Sequence, residues 1–66
     1  MQRYFVEQLQ DDVATVSLED ARHICRVMRM ETGDEVIAVY EGGSYLASVQ
    51  LQEDSVFLQC GATLSN

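Results

Sequence analysis

Glu35-Val36-Ile37-Ala38-Val39-Tyr40-Glu41-Gly42-Gly43-Ser44-Tyr45-Leu46-Ala47-Ser48-Val49-Gln50-Leu51-Gln52 decides the fold class of this chain. Its first six residues are rich in β-branched side chains, which suit a pleated, half-buried surface. Glu41-Gly42-Gly43-Ser44 is a hairpin signal, because glycine reaches positive φ without steric cost. Beyond it the side chains alternate. Tyr45, Ala47, Val49 and Leu51 are predicted on one face, and Ser48, Gln50 and Gln52 on the other, the period-two pattern of a strand. Glu53-Asp54 then turns the chain into a further strand around Val56-Phe57-Leu58-Gln59-Cys60.

Working outward, Gln2-Arg3-Tyr4-Phe5-Val6-Glu7 is an aromatic and β-branched run that predicts a first strand. Gln10-Asp11-Asp12 is a polar break, and Val13-Ala14-Thr15-Val16 a second short strand. Ser17, with Asp20 three residues later, resembles a capping box in which the serine oxygen takes a free helical N–H. Glu19 and Asp20 fall in the first turn, where the helix dipole favours negative charge. A helix is therefore predicted over about 18–28, ending at Arg26 or Arg29. Its apolar Ala21, Ile24, Cys25 and Met28 recur at helical spacing on one face. Gly33-Asp34 closes a turn. Five or six short strands with one helix after the second predict a mostly β fold, a small closed barrel.

The charge distribution is uneven. The chain has four arginines, no lysine and 11 acidic residues, a formal net charge of −7, and three arginines lie within Arg22-His23-Ile24-Cys25-Arg26-Val27-Met28-Arg29. On a helix, positions 22, 26 and 29 share a narrow stripe opposite the apolar residues. Arginine offers a planar fork of donors suited to phosphate. Pairing of Arg22 with Glu19 and of Arg26 with Glu31 would also account for such a stripe, and surface pairs contribute only ~0–1 kcal/mol. A basic cluster on an acidic body favours a local anion site. Tyr4, Phe5, Tyr40, Tyr45 and Phe57 offer stacking platforms, but aromatics in strands more often pack a core. Phe5 and Tyr45 are assigned to the core on that ground.

At 66 residues and 47% apolar composition, the chain is a single small domain rather than a disordered acidic tail. Two cysteines, Cys25 and Cys60, have neither C-x-x-C spacing nor the density of a secreted disulfide scaffold, so both are expected to be buried, reduced thiols of a cytoplasmic protein. Two cysteines and one histidine cannot complete a structural zinc shell, and no metal is expected. No glycine-rich nucleotide loop, nucleophile elbow or catalytic triad is present in the sequence. No apolar run approaches the ~20 residues of a membrane span, so no membrane partner is expected. The chain finishes on Gly61-Ala62-Thr63-Leu64-Ser65-Asn66 without a helix cap or closing turn, and is expected to be part of something longer.

The order of residues adds a resemblance. Met1-Gln2-Arg3-Tyr4-Phe5-Val6, then His23 with Arg26-Val27-Met28-Arg29, then Gly33-Asp34-Glu35-Val36 resembles the opening of the ribosomal RNA uridine-N3 methyltransferases (the RsmE family). The resemblance covers about residues 1–64. It departs at Arg22, which stands where a first histidine often occurs, so no role of that histidine carries over. It implies an N-terminal PUA-like β-barrel that binds RNA. A C-terminal knotted SPOUT domain would bind S-adenosylmethionine, transfer the methyl group and form the dimer.

By that resemblance, residues 1–66 are a PUA-like RNA-binding domain lacking the SPOUT domain. The domain alone would be monomeric and without cofactor or catalytic residues, and the parent an S-adenosylmethionine-dependent enzyme and a homodimer. The partner would be small-subunit 16S ribosomal RNA, in the cytoplasm. Arg3, His23 and Arg29 stand at motif positions as contributors to RNA contact or to the shape of the RNA-facing surface. Arg22 and Arg26 join them from the charge pattern. A second function class is an acidic protein-interaction module docking on a basic ribosomal protein; an independent small enzyme lacks any catalytic set. Titration calorimetry of residues 1–66 with S-adenosylmethionine is expected to show no stoichiometric binding, and stoichiometric heat would refute this assignment.

Overall fold

The computed structural model describes residues 1–53 and 55–64. Its strands are β1 (Arg3–Phe5), β2 (Gln8–Gln10), β3 (Val13–Thr15), β4 (Glu35–Tyr40), β5 (Gly43–Gln52) and β6 (Ser55–Leu64). They form one sheet in the order β1-β4-β5-β6-β3-β2, curled into a half-barrel. The fold is mostly β, as the sequence predicts. The helix, however, follows the third strand rather than the second. Gln8–Gln10 pairs antiparallel with β3 (Leu9 opposite Ala14), and Asp11 and Asp12 both take positive φ, 53° and 64°, in a two-residue turn.

The predicted hairpin is present one residue earlier in its turn. Tyr40 pairs with Gly43 across Glu41 (φ 47°) and Gly42 (φ 82°). β5 and β6 then run antiparallel almost to the end of the described chain, and Gln52 pairs with Ser55. The predicted Glu53-Asp54 turn falls partly on Asp54, outside the described residues, as do Ser65 and Asn66 at the expected open end. Between Tyr45/Thr63 and Ala47/Cys60 the register shifts, so β6 holds one residue more than β5. Gly61 lies in that bulge, where an added Cβ would stand 3.4 Å from the Leu46 carbonyl oxygen.

Two adjacent amides bring the ends of the sheet together. The Val6 N–H donates to Val39 O on β4 (2.9 Å) and the Glu7 N–H to Thr15 O on β3 (3.3 Å). Residues 3–10 are thus one extended chain that leaves one edge of the sheet and joins the other. β1 and β2 are linked by covalent chain rather than by a ladder, which makes a half-barrel in place of the predicted closed one.

Alternate strand positions fill the interior. Tyr4, Val6, Ala14, Val36, Ala38, Ala47, Val49, Val56, Leu58 and Cys60 are buried, with Ile24 from the helical segment. Phe5 points the other way and is 72% exposed, which corrects its assignment to the core. It lies between inward-facing Tyr4 and Val6, so strand alternation turns it outward. Tyr45 does pack against the core.

The helical segment begins as predicted. Ser17 caps α1 (Leu18–Arg22), its Oγ accepting from the Asp20 N–H at 3.2 Å. From His23 to Val27 the hydrogen bonds lengthen to a π step, the Met28 N–H reaching His23 O at 2.9 Å. The wider turn advances less than 100° per residue and displaces the predicted faces. Ile24 is fully buried, whereas Cys25 and Met28 are exposed. The segment closes over Arg29, which takes φ 51°, and the Met30 N–H returns to Ile24 O at 3.0 Å. One side-chain bond also fastens this segment to β1: the Tyr4 hydroxyl lies 3.0 Å from His23 Nδ1, the rings edge to face at 5.9 Å.

The thiols therefore differ, against the expectation that both are buried. Burial, then the Asp12 carboxylate, push the Cys60 thiol above its ordinary 9.0. Above pH 9 the unfolded chain releases a proton that the folded chain keeps. That part of the stability is whole below this pH and declines as pH rises through the folded value. A thiol reagent is expected to label Cys25 at the rate of a free peptide and Cys60 only on unfolding, and Cys60→Ala to flatten the alkaline decline in melting temperature. Equal protection of both thiols would contradict the exposed Cys25. Tyr4→Phe removes the bond to His23 and is expected to cost about 1 kcal/mol in a urea titration; an unchanged midpoint would show that the bond contributes nothing net.

Candidate nucleic-acid interface

Arg22 and Arg26 come together because they follow one another around the same helical wall. They line a cleft with Leu18, Ala21 and Cys25, faced across the gap by Gln52, Glu53, Ser55 and Val56 of the β5–β6 hairpin. Its volume is about 220 Å³. Both arginines are exposed, and the side-chain hydrogen bonds found among the described residues employ neither guanidinium. Among the described residues that line the cleft, two positive forks stand against one carboxylate, Glu53. Screening over ~8 Å at physiological ionic strength separates this local field from the remaining acidic surface. The arrangement suits neighbouring phosphates, one at each fork, beside the apolar side chains of Leu18 and Val56.

The other three predicted site residues lie elsewhere. Arg29 leaves the stripe altogether: the i, i+4, i+7 spacing holds only for a continuous α-helix, and this one changes step at His23 and ends before Arg29. His23 is half-buried and turned to Tyr4. With the neutral ring protonated on Nε2, the tyrosine hydroxyl donates to Nδ1. Burial, then Asp20, raise the Tyr4 hydroxyl above its ordinary 10.0, so the phenol stays protonated at neutral pH. Arg3 is exposed on the outer side of β1, opposite Ile37 of β4. None of the three lines the cleft that holds Arg22 and Arg26.

Sequence reasoning missed the opposite wall of the cleft. Gln52, Ser55 and Val56 are brought to the helix only by the β5–β6 pairing, and no local pattern announces that contact. Beyond Leu18 and Ala21 the cleft continues into a second hollow lined by Thr15 and Phe57. Among the described residues no group of three His, Cys, Asp or Glu side chains is placed to hold a metal ion, and no helix is long and apolar enough to cross a membrane.

Comparison with known proteins bears on this surface. No curated protein matches the chain at a significant level. A solved structure described as a hypothetical protein superposes on 98% of this chain with a TM-score of 0.83 and 27% identity, over 30% of its own length. A Legionella pneumophila protein described as a methyltransferase, Lpg2936, solved with the bound cofactor SAM, superposes on 94% of this chain with a TM-score of 0.75 and 23% identity. It is matched over 27% of its length, so this chain spans less than a third of either protein. The second likeness concerns the fold alone. A family model described as the RNA methyltransferase PUA domain matches residues 18–59, which include both walls of the cleft. This exceeds half of the sequence, and the chain belongs to the RNA methyltransferase PUA domain family.

Proposed function

We propose that this chain is the substrate-recognition domain of a 16S ribosomal RNA uridine-N3 methyltransferase, in which a further domain supplies S-adenosylmethionine, methyl transfer and a homodimer interface in the cytoplasm. The observation that carries this reading is the placement of Arg22 and Arg26 on one cleft wall in a chain that has only four cations. Family membership supports RNA as the partner. The uridine-N3 reaction and the small-subunit target rest on the resemblance of Arg3-Tyr4-Phe5-Val6, His23, Arg26-Val27-Met28-Arg29 and Gly33-Asp34 to that family's opening.

In this reading Arg22 and Arg26 grip consecutive phosphates, and exposed Arg3 and Arg29 add contacts at other points of the RNA. His23 acts through its bond to Tyr4, which holds the helical segment against β1. Phosphate contacts position the RNA without reading its sequence. Selection of the target then falls to RNA shape and to the catalytic domain.

Filter binding of a small-subunit ribosomal RNA fragment at several salt concentrations tests the assignment. Arg22→Ala and Arg26→Ala are each expected to lower the salt slope by about 0.7 for single-stranded RNA. Arg26→Glu is expected to weaken binding more than Arg26→Ala, because it adds repulsion to the lost contact. Unchanged affinity and slope in folded variants would reduce the arginine pair to a solvated face and favour docking on a basic ribosomal protein.

A further inference from the structure

Five of the six glutamines in this chain project from one face of the sheet. Inward positions alternate as Ala14, Val49, Val56, Leu58 and Cys60, so outward positions on the same strands are Gln50 and Gln52 on β5 and Gln59 on β6. On β2, Leu9 lies opposite the buried Ala14, which turns Gln8 and Gln10 outward. Val13, Thr15, Ser48 and Ser55 are further outward positions, and none is charged. That is unusual in a chain with 11 acidic residues. Among the described residues, the acidic side chains lining the hollows of this face stand at their two ends, Asp11 at one and Glu53 at the other.

Phe57 stands in the middle of this face. It lies between Thr15 of β3 and Gln50 of β5 in register, and it is half-buried by its neighbours with one side open. It lines both the hollow bounded by Gln8 and Gln10 and the hollow that opens into the arginine cleft. Leu18 and Val56 carry the surface on from there to Arg22 and Arg26. Two phosphate-binding forks are thus connected by an apolar floor to an aromatic ring set among neutral amides.

Each part of this surface matches a part of a single-stranded nucleotide chain. A base offers a π-face that stacks on an aromatic ring whatever its identity. Its edges offer donors and acceptors that a glutamine amide satisfies from either end, and a neutral amide does not repel the neighbouring phosphates. In a duplex the bases are stacked and paired, so neither feature is available to a sheet. Charge complementarity selects the same occupant, since the arginines lie at one end of an uncharged strip on a chain of net charge −7. We infer that the outer face of β2, β3, β6 and β5 binds unpaired RNA bases, with one base stacked on Phe57 and the glutamine amides at the edges of its neighbours. This rests on the RNA-binding reading above and adds to it a strand preference and a base-contacting surface.

The test uses the 66-residue chain with a fluorescein-labelled single-stranded RNA nonamer and a blunt duplex of the same sequence. The single strand is expected to bind more tightly than the duplex. Phe57→Ala is expected to lose roughly 5- to 100-fold in single-strand affinity while leaving the salt slope unchanged, because it removes stacking and no phosphate contact. Phe57→Tyr is expected to restore binding, and heteronuclear spectra establish that each variant keeps its fold. Gln8→Ala with Gln50→Ala is expected to weaken binding at constant salt slope. Equal affinity for the duplex, or a folded Phe57→Ala chain that binds as well as the parent, overturns the inference. If in that case Arg22→Ala and Arg26→Ala still lower affinity and slope, the RNA-binding reading stands without this face. Failure of the chain to bind either RNA removes both.

Discussion

Two neighbouring N–H groups pointing in opposite directions hold this fold together. Val6 donates to β4 and Glu7 to β3, the strands next to the two edges of the sheet. Between them, β4, β5 and β6 are joined by local hairpins. Successive residues of an extended chain direct their amides to opposite sides, so a single strand can bind one sheet edge and then the other. The cost is that each half is only three residues long. Curling brings Tyr4, Val6 and Leu9 over an interior already lined by Val36, Val49 and Leu58. At this size the buried interior is small, and Phe5, Leu18 and Val27 stay outside it.

The helical segment depends on that arrangement. Its only fully buried side chain is Ile24, and in its side-chain hydrogen bond to the sheet His23 accepts from the Tyr4 hydroxyl on β1. The π step serves both contacts. It spaces His23 and Ile24 so that one faces the strand and the other the core, and it leaves Arg22, Cys25 and Arg26 on the outer wall. The basic cleft is a by-product of how a short helix is moored to the half-barrel through Tyr4 and Ile24.

The sequence disclosed the parts whose physics is local. Glycine at Gly42, alternation from Tyr45, and a serine with an acidic residue three positions later specify a turn, a strand and a helix start without reference to distant residues. It concealed what tertiary contact decides. Gln8-Leu9-Gln10 has one apolar residue and looks like loop, yet it is a strand because β3 lies alongside. The side-chain alternation also slips at Glu7, so that Tyr4 and Val6 point inward and then Leu9, an odd position after even ones. A two-residue period cannot survive that corner. Cys25 and Arg29 were misplaced for a related reason: a period of 3.6 residues is the right ruler only while the hydrogen-bond step remains four. Of the candidate site, the arginine cluster was legible as composition, and its opposing wall was not, since Gln52 and Ser55 meet it only through sheet pairing.

The parallel pairing of β1 with β4 sets the order in which the chain can become a structure. During synthesis Arg3, Tyr4 and Phe5 are made well before their ladder partners Ile37, Ala38 and Val39. β3 waits longer still, because its partners on β6 are Phe57, Leu58 and Gln59. Hairpins β4–β5 and β5–β6 close through short turns, whereas these two pairings must first close long loops, whose entropic cost rises with the logarithm of their length. Tyr4 and Phe5 therefore lie on an unpartnered aromatic edge until β4 has been made, and β3 stays unpartnered on one side until β6 has.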